Sequence, residues 1–241
     1  MLAHSFLYEF LRCLARLAKF KIRKKEYDEI AEEYVMITTR IKDVDLRLET
    51  APSLFSPNFI DRGTLAMLSV IEFHPGDKVL DLGCGYGVVG ILAGKMIGEE
   101  NVVMCDISDR AAAYARRNAH LNGVSNIKIC SSDGYENIED ENFTLILSNP
   151  PYHVDFSVPK KFIEGGYRRL AIGGKMVMVT KRKTWYKNKL TSVFGGVMVY
   201  EREGYFIFVA EKRSGTRKKS KKPEKNLSKK LQRKAAARLR R

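Results

Sequence analysis

An α/β fold, with a parallel sheet covered by helices, is predicted by three features of this 241-residue sequence. Short apolar runs recur from residue 79 onward: VLDLG (79–83), VVMCD (102–106), IKIC (127–130) and FTLILS (143–148). Stretches with helical spacing, 88–96 and 108–121, separate the first three runs, and strand–helix–strand alternation implies parallel pairing. A composition of 44% hydrophobic and 29% charged residues supports one substantial core with attached arms and excludes collagen, low-complexity chains and disulfide miniproteins.

The elements follow in order. Leu2, Phe6, Leu7, Phe10, Leu11, Leu14, Leu17 and Ala18 recur at helical spacing, with Arg12, Arg16 and Lys19 largely on another face. This basic amphipathic helix over 2–20 either packs on the body or contacts RNA or a membrane surface. Glu9, Arg12 and Arg16 interrupt it, so no apolar run approaches the roughly 20 residues of a membrane span, and its internal charges do not fit an export signal. Residues 34–39 and 45–49 suit short strands, Pro52 and Pro57 punctuate the approach to the main domain, and 54–68 suits a loop leading into a helix. After the fourth run come a helix at 159–170, a strand at 175–179 and a helix at 184–194. Two strands, 197–200 and 205–209, close the pattern as a hairpin around Gly204. The expected organisation is an N-terminal segment over 1–50, a central domain over 51–211 and a tail over 212–241.

Charge is unevenly placed. Of 43 basic and 28 acidic residues, 15 and one (Glu224) lie in 212–241, so residues 1–211 carry 28 and 27, a net of +1. Such a block is a solvated arm that seeks polyanions, because neutralising phosphates releases condensed counterions. A second basic block runs through Arg12, Arg16, Lys19, Lys21, Arg23, Lys24 and Lys25. The four cysteines, Cys13, Cys84, Cys105 and Cys130, form no C-x-x-C pair, and no His stands at zinc-ligand spacing. They read as reduced thiols of a cytoplasmic protein.

The chemistry is expected at strand ends. The first apolar run finishes Asp81-Leu82-Gly83-Cys84-Gly85-Tyr86-Gly87, and a helix starts near Val88. Glycines let backbone approach a ligand closely, where the strand end and the helix N-terminus form a nucleotide crevice. Gly85, Gly87 and Gly90 also satisfy G-x-G-x-x-G, a weak signal that alone can mean a dinucleotide site. Three acids argue otherwise. Asp81 would repel a pyrophosphate but attract the ammonium of a methionine moiety, directly or through water. Asp106, followed by Ile107, is placed to accept from both ribose hydroxyls, and Asp133 from an adenine amino group, with Gly134 permitting close approach. Each Asp taken singly can instead cap the next helix.

The fourth run ends Ser148-Asn149-Pro150-Pro151-Tyr152-His153. Two prolines remove two backbone donors and stiffen the turn, so the Asn149 side-chain oxygen and the Pro150 carbonyl are held outward as acceptors. An amine on a planar ring or amide has a delocalised lone pair, and two acceptors gripping its hydrogens favour the pyramidal form that attacks a methyl group. Tyr152 would stack on the target's flat face. Asn-Pro and Pro-Pro also occur in ordinary turns, but that reading leaves the coincidence with the strand-end acids unexplained. His153 need not act as a base, since the proton can leave the strongly acidic product ammonium. Cys84 has no neighbouring His to activate it as a nucleophile. Trp185 with Lys181, Arg182 and Lys183 either touches RNA or packs as the interfacial aromatic of an amphipathic helix.

From about Phe55 to Val209 these residues resemble the class I S-adenosyl-L-methionine-dependent methyltransferases of the small-domain type, including ribosomal RNA guanine-N2 methyltransferases. The resemblance is carried by Asp81 to Gly87, Asp106, Asp133 and Asn149-Pro150-Pro151-Tyr152-His153. It also includes Phe55-Ser56 followed by Asp61-Arg62-Gly63-Thr64, similar to the family's segment that closes over the cofactor, which adds Gly63 and Thr64, together with Asn149, to the residues expected to touch the cofactor. It implies a Rossmann-like, seven-stranded, mostly parallel sheet with one antiparallel strand, and transfer of a methyl group to an RNA base amine. The leading expectation is N2-methylguanosine in rRNA; adenine-N6 methylation of tRNA or DNA and N5-methylation of a protein glutamine use the same chemistry. A non-catalytic nucleic-acid binder would retain the fold without the reaction. Some family members carry a duplicated domain ahead of the catalytic one, whereas only about 50 residues precede it here. The basic helix and tail are expected to take over its RNA-holding role, the partner being ribosomal RNA or a ribosomal subunit.

Overall fold

The computed structural model describes residues 34–151 and 155–213; the helix expected over 2–20, the tail beyond 213, and Tyr152 and His153 lie outside these residues. The chain begins with a hairpin of β1 (Val35–Ile41) and β2 (Val44–Thr50), paired from Ile41↔Val44 to Val35↔Thr50. Lys42 and Asp43 both take positive φ, 49° and 61°, as a two-residue turn matched to strand twist requires. Then come α1 (Arg62–Leu68), β3 (Val79–Leu82), α2 (Val88–Ile97), β4 (Val102–Asp106) and α3 (Asp109–Leu121). After β5 (Lys128–Ser131) and β6 (Phe143–Ser148) follow α4 (Ser157–Arg169), β7 (Leu170–Thr180), α5 (Lys183–Phe194), β8 (Met198–Arg202) and β9 (Tyr205–Glu211).

Seven strands form one sheet in the order β5-β4-β3-β6-β7-β9-β8, in which β9 alone runs against the others. Both faces are buried, and the strand period of two divides the apolar residues between two cores. Val79, Met104, Leu145, Leu147, Val177 and Ile207 join α1, α2, α3 and the hairpin on one face. Leu80, Cys105, Ile146, Met176, Met178 and Phe208 join α4 and α5 on the other. Covering both faces is why the strands are near-continuously apolar.

The strand expected at 175–179 extends back to Leu170, through Gly173 and Gly174, which in sequence look like breakers. Lys212 holds that stretch from both directions: its carbonyl accepts from Gly173 N at 2.7 Å and its N–H donates to Gly174 O at 2.9 Å. The helix expected from Pro159 starts at Ser157, which puts the proline in the first turn, where a missing N–H costs nothing.

The hairpin shares the main core, with Leu46 and Leu48 fully buried. Its outer edge is held by two asparagines one helical turn apart, Asn118 on α3 and Asn122 at its C-cap. Asn118 accepts from Glu49 N at 2.6 Å and donates to Glu49 O at 2.8 Å, while Asn122 accepts from Arg47 N at 3.1 Å and donates to Arg47 O at 2.7 Å. Four residues of helix rise about 6 Å, and two residues of strand about 6.8 Å. The spacings nearly match, so two side-chain amides complete a strand edge that would otherwise be unpaired.

Candidate active site

Chain order reverses at β3. It leaves β3 for β4 and β5 on one side, and β6 then adds on the other, so the crevice at a topological switch point lies beyond the carboxyl ends of β3 and β6. Ser148 fixes the relation of the two ends, its hydroxyl donating to Leu82 O at 2.8 Å.

The loop after β3 is shaped by its own backbone. Gly83 and Cys84 N both donate to Cys105 O at 2.9 Å, and Gly85 N donates to Asp106 Oδ2 at 2.9 Å. Gly83, Gly85 and Gly87 have φ of 78°, 55° and 98°, the left-handed region that glycine alone occupies freely. A Cβ at Gly85 would meet nothing within 4 Å, so its backbone faces open space. Gly90 differs: a Cβ there would lie 2.2 Å from Met104 Sδ and 3.3 Å from Asp81 Oδ2. It permits close packing of α2 on the sheet, the structural part of the G-x-G-x-x-G spacing.

Asp81 is buried, and its Oδ2 accepts from Gly90 N at 2.9 Å. Loss of solvation pushes its carboxyl up to about 7, against the lowering effect of the Gly90 hydrogen bond and with a further upward push from Asp106. Asp106 accepts from Gly85 N through Oδ2 and from Ser108 N through Oδ1, both at 2.9 Å, and Ile107 beside it is 72% exposed. Each carboxylate oxygen retains a second lone pair for a ligand hydroxyl. Asp133, after β5, is exposed and ion-paired with Lys161 at 2.8 Å, and Lys161 also binds Glu136 at 2.7 Å. Gly134 follows with φ of 63°, and its neighbours Lys161 and Phe162 would lie 3.4 and 3.5 Å from an added Cβ. Burial pushes the Cys84 thiol well up, so it stays protonated and is a poor nucleophile.

Beyond β6, Asn149 is half-buried and its side chain is gripped. Nδ2 donates to Asp61 Oδ2 at 2.7 Å and to Thr64 Oγ1 at 3.0 Å. A carboxylate only accepts, so the amide nitrogen must face Asp61 and the amide oxygen is turned the other way. Asp61 has a second duty as the N-cap of α1, accepting from Thr64 N at 2.9 Å. Gly63 and Thr64 are buried in the first turn of that helix. The same segment reaches the glycine loop, where Tyr86 Oη donates to Ser56 O at 3.4 Å; burial, then the nearby Asp61 charge, pushes that phenol up to about 12. Pro150 is buried and Pro151 exposed, while Tyr152 lies outside the described residues.

The structure thus brings Asp81, Gly83, Cys84, Gly85, Gly87, Asp106, Ile107, Asp133 and Gly134 to adjacent strand ends, with Asn149 and Pro150 across the switch point and Gly63 and Thr64 behind Asn149. Sequence reasoning missed Asp61 as the group that orients Asn149; the signal that could have found it is its Asp-x-x-Thr cap spacing. Among the described residues, no group of three or more His, Cys, Asp or Glu is placed to hold a metal ion, and no helix is long and apolar enough to cross a membrane.

Residues 45–209 match the profile of the family described as Methyltransferase small domain. Relatives include the ribosomal RNA small subunit methyltransferase C of Serratia proteamaculans, 31% identical over 166 residues, or 67% of this chain and 47% of that protein. The uncharacterized protein YbxB of Bacillus subtilis is 28% identical over 179 residues, 72% of this chain and 89% of that protein. Among solved structures, the T. thermophilus 16S rRNA N2 G1207 methyltransferase in complex with AdoMet and guanosine superposes with a TM-score of 0.68 at 26% identity, covering 75% of this chain and 51% of that one. The chain therefore spans about half the length of the rRNA methyltransferases it matches.

Proposed function

We propose, because the chain belongs to the methyltransferase small-domain family, that it transfers a methyl group from S-adenosyl-L-methionine to the exocyclic N2 amine of a guanine in ribosomal RNA. The observation that carries this reading is the Asn149 amide, locked by Asp61 and Thr64 with its oxygen turned away from them, at the rim of a crevice lined by strand-end acids. The Serratia relative is named for small-subunit rRNA methylation, and the T. thermophilus structure for guanine N2 of 16S rRNA.

The residues present fit the cofactor. The open backbone face at Gly85 and the row of Asp81, Asp106 and Asp133 suit a cationic ligand carrying an ammonium, two ribose hydroxyls and an adenine amino group. Asp81 would face the ammonium, Asp106 the hydroxyls, and Asp133 with Gly134 the base edge, with Ile107 against its plane. When bound, S-adenosyl-L-methionine supplies an electrophilic methyl group on a sulfonium. The protein's part is alignment and electrostatics. The Asn149 side-chain oxygen and the Pro150 carbonyl accept the two amine hydrogens, localising the nitrogen lone pair for in-line attack. The stacking role on the guanine is assigned to Tyr152 from its place in the Asn-Pro-Pro-Tyr run. One of the gripped protons leaves the acidic product, so no resident base is needed.

The raised carboxyl of Asp81 gives a signed pH dependence. Near pH 6 it is largely protonated and attracts an ammonium weakly; above about 7 it is ionised. Cofactor affinity should therefore rise several-fold between pH 6 and 8, with proton release on binding, as titration calorimetry in buffers of different ionisation enthalpy would record. Asp81→Asn should flatten the profile; a flat wild-type profile removes Asp81 from contact with the ammonium. For folding the sign is opposite. The native state holds a proton that the unfolded chain releases near 4, so this group's contribution to stability declines as pH rises from about 4 to 7.

The function itself is tested by incubating the protein with methyl-labelled S-adenosyl-L-methionine and unmodified rRNA, then digesting to nucleosides. Label in N2-methylguanosine is the expected result. Label only in N6-methyladenosine would assign the same chemistry to another base, and label absent from the RNA but transferred to glutamine of an added translation factor would assign it to a protein.

A further inference from the structure

The carboxyl edge of the sheet is divided by charge. Its β5-β4-β3 half ends in Asp133, Asp106 and Asp81, whereas beyond β6 the same edge carries Lys181, Arg182 and Lys183 after β7 and Arg202 at the end of β8. The antiparallel β9 starts at this edge, with Thr180 paired to Phe206 and Arg202 to Tyr205, so its first two aromatics lie among those cations.

The cations sit on rings. Arg182 lies over Phe156 at 5.1 Å, and Phe156 stacks on Trp185 at 4.4 Å with an interplanar angle of 18°. Lys181 lies over Tyr205 at 4.9 Å and Lys183 over Phe206 at 4.7 Å. Glu201 approaches Lys183 at 3.7 Å, but neither Lys181 nor Arg182 has a carboxylate partner among the described residues. All three cations are exposed, and Phe156 remains 36% exposed on the last residue before α4, a few positions after Pro151. Ser148 pairs with Met178, two residues before the end of β7, so this cluster begins one strand away from Asn149. Adjacent strands are about 4.8 Å apart, and stacked nucleotides rise about 3.4 Å each, so one or two nucleotides bridge the distance.

We infer that Lys181, Arg182, Lys183, Phe156 and Trp185 form a docking platform for single-stranded RNA, holding the nucleotides that flank the methylated guanine. Resting on the methyltransferase reading above, this names the surface that presents the substrate. Cations around an exposed ring, here Phe156 backed by the half-buried Trp185, are the chemistry of single-strand binding: the charges follow the phosphates and the ring stacks on a base without demanding a sequence. A target base that must leave its stack needs its neighbours held, and the acid-lined half of the edge repels phosphate, which directs the strand to the β7–β9 side.

Arg182→Glu and Lys181→Glu alter exposed side chains and should lower the melting temperature by only a few degrees, from the two lost ring contacts, and leave cofactor affinity unchanged. Binding of the full chain to a short guanine-containing single-stranded RNA, followed by fluorescence anisotropy across a salt series, should weaken at least tenfold in the double variant. The slope of log affinity against log salt should become shallower by about 1.4, about 0.7 for each single-strand phosphate no longer neutralised. Phe156→Leu, which keeps apolar volume, should weaken binding several-fold with no change in salt slope. In methylation assays the RNA KM should rise while kcat at saturation holds. Unchanged RNA affinity and slope in the double variant would overturn the platform, as would equal weakening for duplex RNA, which cannot stack on Phe156. Failure of the parent reading looks different: the wild type would then transfer no methyl group to RNA, and anisotropy alone would still decide whether the platform binds the strand.

Discussion

Asn149→Ala should lower turnover on RNA by about 10²–10³-fold while leaving cofactor affinity within a few-fold, the split expected when the deleted group acts chiefly in the transition state. The side-chain oxygen gains its importance as the amine pyramidalises and its hydrogens become acidic. Preorganised groups aimed at developing charge typically contribute about 10²–10³ each. Here the preorganisation is visible: Asp61 and Thr64 hold the amide from behind, so no rotamer search precedes reaction. Single-turnover kinetics with saturating donor, alongside calorimetric binding, separate the two quantities. A variant with normal turnover would transfer the amine-gripping role away from Asn149.

Asp106→Ala should weaken cofactor binding by at least about 10²-fold, since each hydrogen bond to a charged acceptor contributes about 1.5–3 kcal/mol. The loss is compounded locally. Asp106 also holds Gly85 N, so the alanine variant leaves the glycine loop without the side chain that pins its middle. Calorimetry with the methyl donor or its demethylated product would measure it, and a circular dichroism melt would confirm that β4 and α3 remain in place. Affinity within a few-fold of wild type would mean that the ribose is held elsewhere.

Much of this arrangement is legible in sequence because it is local. An apolar run ending in Asp, followed by glycines or by Asn-Pro-Pro, announces strand, turn and ligand edge within ten residues, and the acids after β3, β4 and β5 fall at adjacent strand ends. What sequence conceals is pairing across distance. The Asp61–Asn149 hydrogen bond joins residues 88 positions apart, and the Asn118–Glu49 clamp joins residues 69 apart. Asn118 looks like an ordinary polar residue of a helix until the strand beside it is known. Lys161 is equally unreadable as the partner of Asp133, since only the docking of α4 brings it there. Gly173 and Gly174 mislead for the converse reason: their local preference is overridden by pairing with Lys212.

Asn118 has a third partner, donating to Tyr86 O at 2.9 Å as well as to the hairpin. One interior amide thereby fastens the first strand pair and the ligand-cradling turn to the same post. Truncation at residue 51 would strip that amide of its Glu49 partners, at about 1–3 kcal/mol for each polar group stranded, and would bare the wall that Leu46 and Leu48 cover. Shortening from the N-terminal side past β1 would therefore loosen the glycine turn at the proposed cofactor site as well as the hairpin.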